Sequence, residues 1–291
     1  MTDGADLVRV MNTMQFVSRV GTARVAVPTT VLTAGDIRIV VSDDPDDIVD
    51  AQRLRYRVFA DEPGFSDTIG DPITGRDADR FDAFCQHLIV RHDTDGVVGC
   101  ARLLPPARAI AAGGWYGSGE FDLTELGPIA SSTVEMGRAC VATAHRSGTV
   151  TALMWAALLD YLETGGHRYL LGCVSVPLSA PGEAPHDRGR ALRSIRDMLL
   201  DRHREDRWRV YPHERPRVDQ TALDDVEPAQ AAAIPALMRG YLRLGARVCG
   251  EPAVDPEFDA ADFLTVLDRQ GANARYLDRL CASIRRLGAK S

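Results

Sequence analysis

Residues 87–91 and 97–104 are two apolar runs around Asp93-Thr94-Asp95-Gly96, whose Asp-Gly pair favours a tight antiparallel turn. A hairpin here, with helical and strand patterns on both sides, limits the chain to an α/β sheet containing antiparallel pairs and excludes a purely parallel doubly wound order. Before it, Ile37, Ile39 and Val41 alternate as a first strand. Asp46 and Asp47 then open a helical stripe through Ile48, Ala51, Leu54, Val58 and Phe59, punctuated by Pro63-Gly64. After it, Pro105-Pro106 stops the second strand and an excursion over 107–133 carries a glycine cluster at 112–119. A strand at 134–142, a helix at 149–164 ended by Gly165-Gly166, and a strand at 169–176 closed by Pro177 make one parallel crossover. Beyond it the pattern predicts an Arg-rich helix around 188–204, a short strand at 208–211 and a linker at 212–233. A helix at 235–244, mixed structure through 268 and a final helix near 273–287 complete the chain. Residues 1–35, where only Val10, Met14 and Val17 fall at helical spacing, read as an appended arm.

The composition excludes several classes. A chain of 291 residues at 45% hydrophobic can bury a sizeable core. No apolar run reaches the roughly 18 residues of a membrane span, and Asp160 interrupts the best one, residues 154–162. The acidic start, with Asp3 and Asp6, is unlike a secretory signal, so a cytoplasmic chain is expected. Cys85, Cys100, Cys140, Cys173, Cys249 and Cys281 are widely spread, which favours reduced core thiols, and no Cys or His spacing suits a metal. A net charge of −7 argues against nucleic acid as a partner.

Several constellations are able to carry chemistry. The turn 144–150, with Arg146, Ser147, Gly148 and Thr149, combines helix N-terminal amides with side-chain donors suited to a phosphate; an ordinary capped helix accounts for the same residues. Glu135 and Arg138 stand three apart in an apolar strand, on opposite faces unless a bulge at Gly137 intervenes. Such charges are functional, as a general base and an anion clamp, or paired at a sheet edge. Arg55 shares the inward helix stripe, Asp79 and Asp82 bracket Phe81, and Arg102 lies on the face of Val98, Cys100 and Leu104. This set suits an amino-acid zwitterion or a structural ion network. From Arg188 to Arg209, eight arginines face four acids along an amphipathic pattern, either a dock for an acidic carrier protein or anionic lipid, or a solvated face.

Six ordered motifs carry a resemblance. They are Phe81-Asp82 with Phe84-Cys85 and His87-Leu88-Ile89-Val90; Gly99-Cys100-Ala101-Arg102-Leu103-Leu104-Pro105; Gly113-Gly114-Trp115-Tyr116; Glu135-Met136-Gly137-Arg138-Ala139-Cys140-Val141; Leu171-Gly172-Cys173-Val174-Ser175; and Gly240-Tyr241-Leu242-Arg243-Leu244-Gly245-Ala246. Together, over about residues 36–280, they resemble the hemolysin-like branch of the GNAT acyltransferase superfamily, with its ornithine Nα-acyltransferases, akin to N-acyl amino acid synthases and acyl-homoserine-lactone synthases. The resemblance implies a GNAT-like mixed, mostly antiparallel central sheet, flanked by helices and splayed by a thioester-binding cleft. That domain spans 36–291, with a family extension from about 212. It implies fatty acyl transfer from an acyl carrier protein or coenzyme A thioester, as co-substrate, to ornithine or a similar amino acid, with no bound cofactor and with peripheral membrane contact.

The site it implies places Glu135 and Arg138 at the chemistry. Cys140, Val141, Arg146, Ser147, Gly148 and Thr149 would meet the donor, and Arg55, Phe59, Asp79, Asp82, Arg102 and Ser175 the acceptor or acyl chain. Gly148-Thr149 stands where that branch carries a further basic residue, which leaves carrier protein against coenzyme A open. An acetyl-coenzyme A-dependent N-acetyltransferase, a lactone synthase and a non-catalytic acyl-thioester or lipid-binding module are the alternatives.

Overall fold

The computed structural model describes residues 29–61, 69–180, 182–273 and 275–276. Thr29–Ala34 (β1) and Ile37–Ser42 (β2) pair antiparallel, so the last residues of the expected arm belong to the sheet. The helical spacing at Val10, Met14 and Val17, the Pro63-Gly64 stop, Cys281 and nearly all of the last expected helix lie outside the described residues. Helix α1 (Pro45–Ala60) is capped by Asp44, which accepts from the amide of Asp46 at 2.9 Å. Asp46 and Asp47, expected at the cap, instead occupy the first turn, where the positive helix end favours them. Pro45 fits that turn because its missing N–H has no intrahelical partner to lose.

The hairpin forms as expected, from Gln86–His92 (β3) and Gly96–Leu104 (β4). The excursion folds into α2 (Pro106–Ala111), 3-10 turns at Tyr116–Gly119 and Thr124–Ser132, and the two-residue β5 (Phe121–Asp122). Thr133–Val141 (β6), α3 (Thr149–Thr164) and Tyr169–Pro177 (β7) make the crossover, and α4 (Arg190–Arg202) follows. The short strand expected at 208–211 shrinks to Tyr211–Pro212 (β8), paired with β5, and Trp208 stands edge-on to Tyr169. The expected linker contains the paired Arg217–Val218 (β9) and Thr221–Ala222 (β10). Then come α5 (Ala236–Leu244), Arg247–Val248 (β11), Ala253–Asp255 (β12) and Ala260–Asp268 (β13).

The main sheet runs β1-β2-β3-β4-β6-β7-β13-β11, with β12 also on β13. All its pairings are antiparallel except β6 with β7. The segment read as mixed structure thus supplies β13, which pairs with β7 along its whole length. Its residues from Ala260 to Leu267 are all buried, so it shows none of the alternation of a half-exposed strand. Apolar residues alternate across the sheet: Ile39, Leu88 and Val90 share a core with Leu153, Leu158 and Leu162 of α3, while Val40 and Ile89 pack with Ala51, Leu54 and Val58 of α1. Among the described residues, no helix is long and apolar enough to cross a membrane.

Strands β6 and β7 pair only over residues 133–135 with 169–171 and then part. Gly172 stands at the fork, where an added Cβ would lie 2.6 Å from the carbonyl oxygen of Met136. Gly172→Ala is therefore expected to cost about 1–3 kcal/mol by overpacking and to lower the thermal midpoint in calorimetry. An unchanged midpoint contradicts this close approach.

Candidate active site

Glu135 is the last β6 residue paired with β7, and it is 5% exposed. Its Oε2 accepts from the amide of Tyr116 at 2.6 Å and its Oε1 from that of Gly117 at 2.8 Å. The 3-10 turn aims these successive amides because Gly117 lacks a side chain; a Cβ there would stand 3.2 Å from Oε1. The glycine cluster at 112–119 was the signal in the sequence, but only the fold shows what its amides hold. Burial pushes the Glu135 carboxyl up to about 7, against the pull of those two amides and of Arg102. A carboxylate poised near neutrality suits a general base.

Arg138 reaches the same cleft through a backbone irregularity. The β4–β6 ladder slips between Cys100 and Arg102, and Arg138 takes a φ of 50°, a left-handed conformation for a residue with a side chain. The bulge therefore centres on Arg138 rather than Gly137, which corrects the expected position. The guanidinium lies 3.3 Å from Asp77, 3.6 Å from Glu257 and 3.9 Å from Asp79, and over the rings of Phe258 at 5.0 Å and Tyr116 at 5.5 Å. Burial opposes its charge, but Tyr116 and these acids outweigh it, so the group stays cationic.

The expected acceptor set divides. Arg55, 1% exposed, donates from Nη1 and Nη2 to the two oxygens of Asp82, both at 2.9 Å, and its Nε lies 2.8 Å from Asp77. Gln52 and the Asp79 amide also donate to Asp82, at 3.0 and 3.1 Å. Burial pushes the Asp82 carboxyl up, but Arg55 and Arg102 hold it far below the usual carboxylate range. Asp79 caps the 3-10 turn Arg80–Ala83 and pairs with Arg102 at 2.5 Å. Arg55, Asp79 and Asp82 do not line the cleft but form, with Asp77, an ion network that reaches it through Arg102 and Arg138. Arg102, Phe59 and Ser175 do line it, Phe59 edge-on to Phe258 at 5.5 Å.

The cleft opens where β6 and β7 part and has a volume of about 720 Å³. Cys140, Val141 and Arg146 line it among the expected donor residues, while Ser147 and Gly148 belong to the adjoining turn and Thr149 opens α3. Gly148, at φ 97°, is the N-cap of α3; no side chain caps that helix, which leaves its first amides available to an anion. Arg146 donates to the Val141 carbonyl at 3.1 Å. The Cys140 Sγ lies 3.6 Å from that of Cys100 and its thiol is pushed well up by that contact and by burial, so it is no nucleophile. The five described cysteines are all free thiols.

Three acids of the site escaped sequence reasoning. Asp255 and Asp262 line the cleft, and Asp262 sits opposite Ser175 in the β7–β13 register. Glu120 stands beside them, its Oε2 3.7 Å from the Cys173 Sγ. Burial and the charges of Asp262 and Asp255 push the Glu120 carboxyl up, and burial and Asp255 push Asp262 up, against the pull of hydrogen bonds to Ser175 and Glu120 and of the Arg138 charge. The signal was an acid inside the apolar run of β13. Spacing found no metal ligands, but the fold does bring together two triples of ligand type, Glu120-Cys173-Asp262 and His92-Asp95-His145. In the second, His145 bonds Asp95 at 2.8 Å.

The Arg-rich segment is laced with ion pairs to the chain's own acids: Arg188 pairs with Asp219 and Asp259, Arg190 with Asp187 and Glu227, Arg193 with Asp197, and Arg196 with Asp197, Asp224 and Glu251.

Known proteins share sequence with this chain. Residues 54–156 match the acetyltransferase (GNAT) domain family. The chain is 31% identical over 245 residues to an L-ornithine N(alpha)-acyltransferase of Rhodobacter capsulatus, covering 80% of this chain and 90% of that protein. It is 32% identical over 239 residues to the enzyme of the same name from Rhizobium meliloti, covering 78% of each. Among solved structures it resembles a CoA-dependent acyl-homoserine lactone synthase, at 16% identity and a TM-score of 0.47 over 83% of both chains.

Proposed function

The chain belongs to the L-ornithine N(alpha)-acyltransferase family of GNAT acyltransferases, and from that premise we propose that it moves a plain or 3-hydroxy fatty acyl group from an acyl carrier protein thioester to the α-amine of ornithine or a similar amino acid. The observation that carries this reading is the seat of Glu135. A buried carboxylate, fixed by two amides and poised near neutrality, stands at the fork of β6 and β7 in a cleft it shares with Arg138.

In this mechanism Glu135, directly or through one water, takes a proton from the acceptor ammonium, and the freed nitrogen attacks the thioester carbon. Backbone amides near Cys140 and Val141 hold the oxyanion of the tetrahedral intermediate. Its collapse forms the amide and expels the thiolate, which leaves as the thiol after protonation, with no covalent enzyme intermediate. Arg138 and Arg102 orient the acceptor carboxylate. The pantetheine arm lies along the cleft, and its phosphate rests on the α3 N-terminus beside Arg146, Ser147 and Thr149. That turn offers one arginine, a better match for the single phosphate of phosphopantetheine than for the three of coenzyme A. The product is an amphiphile, so release at a membrane surface from a cytoplasmic, peripherally attached enzyme follows from its chemistry.

Donor choice tests this reading: with the same long acyl group, kcat/KM is expected to be at least about tenfold (about 1.4 kcal/mol) higher for the carrier-protein thioester than for the coenzyme A thioester. Equal use of both donors contradicts the carrier assignment, and turnover confined to acetyl-coenzyme A contradicts the fatty acyl reading.

A further inference from the structure

We propose that Asp262, with Glu120 and Asp255 around it, forms the subsite that receives the side-chain ammonium of a dibasic amino-acid acceptor. This deepens the reading above and rests on it. Asp262 is 4% exposed and lines the cleft, yet its Oδ1 has no hydrogen-bond partner. A buried carboxylate oxygen left unmatched at the wall of a cavity is costly unless something entering the cavity meets it. Ser175, its register partner on β7, also lines the cleft and supplies a hydroxyl that donates to the same carboxylate. Asp255 lines the cleft as well, its Oδ1 already accepting from the amides of Glu257 and Phe258 at 2.9 and 3.2 Å.

The placement fits a zwitterion with a charged tail. Gly117 joins the two ends of the site: a Cβ built there would lie 3.2 Å from Glu135 Oε1 and 4.0 Å from Cys173 Sγ, which in turn is 3.7 Å from Glu120. The acid group and the proposed base thus share one stretch of the cleft wall, where the Glu135 charge acts on Glu120. Arg138, whose charge acts on both Asp255 and Asp262, stands on the same cleft for the acceptor carboxylate. An amine at the base, a carboxylate at Arg138 and an ammonium at Asp262 satisfy all three ends. An aliphatic side chain would leave the acids buried without a counter-charge, the arrangement by which sites reject analogues that lack a polar group.

The test compares L-ornithine with L-norvaline, which has the same carbon chain without the terminal amine, in steady-state acylation by the intact protein with one long-chain acyl donor. The wild type is expected to prefer ornithine by at least about 100-fold in kcat/KM. Asp262→Asn is expected to cut that ratio at least about tenfold through a raised KM for ornithine. If Asp262→Asn does not fold, Ser175→Ala and Glu120→Gln read the same ratio. An unchanged ratio in the folded variants overturns the subsite, as does a wild type that acylates both acceptors equally. A preference for ornithine that disappears on chelation and returns with a divalent ion also overturns it, assigning Glu120, Cys173 and Asp262 to a metal. A folded wild type that acylates neither amino acid defeats the acyltransfer reading itself, and the subsite with it.

Discussion

Glu135→Gln lowers kcat/KM by about 10²–10⁴-fold, the usual worth of a general base, while the protein remains folded. The wild-type rate rises with pH through about 7, where this carboxyl loses its proton, and the variant lacks that limb. The sign follows from the chemistry, because only the carboxylate accepts the amine proton. Glutamine has nearly the shape of glutamate but one acceptor oxygen in place of two, so either Tyr116 or Gly117 keeps an amide without a partner. That costs about 1–3 kcal/mol, which lowers the thermal midpoint by several degrees without unfolding the chain. A pH-rate profile recorded together with calorimetry separates the two effects. Near-wild-type turnover in the folded variant sinks the base assignment.

Arg55→Met produces the largest loss of stability. Arg55 neutralises Asp82 through two bonds at 2.9 Å and Asp77 at 2.8 Å, with all three side chains almost fully buried. Removing the cation leaves uncompensated carboxylates beneath α1, which costs about 3–5 kcal/mol. At about 2–4 °C per kcal/mol for a large domain, the thermal midpoint falls by on the order of 10 °C or more. Calorimetry reads this directly. If Arg55→Met melts like the wild type but no longer acylates ornithine, the network contacts substrate and its structural assignment is wrong.

Much of the fold was legible because its signals are local. The Asp-Gly turn between β3 and β4, the bounds of α3 at Thr149 and Thr164, and Pro177 at the end of β7 are written in residues within a few positions of the element they delimit. Strand β13 was not legible, because a strand buried on both faces has no alternation and Asp262 breaks its apolar run. Asp44 escaped notice as the α1 cap because three further acids follow within six residues.

The site divides in the same way. Glu135, Arg138 and the turn at Arg146 stood out as charges in or beside an apolar strand, a pattern that local burial makes costly and therefore informative. That Arg55 and Asp82 satisfy each other, rather than a ligand, depends on residues 27 positions apart meeting face to face. The Tyr116 and Gly117 amides carry no side-chain signature at all. Glu120, Asp255 and Asp262 become one cluster only when β12 and β13 fold back beside β7.

We propose that this chain acylates an amino acid on its α-nitrogen with Glu135 as the base. The most direct test is mass spectrometry of lipids from cells expressing the intact chain or Glu135→Ala. A new N-acyl amino acid is expected, with fragments placing a long acyl chain on the α-nitrogen of ornithine or a close relative, present with the intact chain and absent with the variant. No such lipid from a folded intact chain, or equal amounts from both, contradicts this reading.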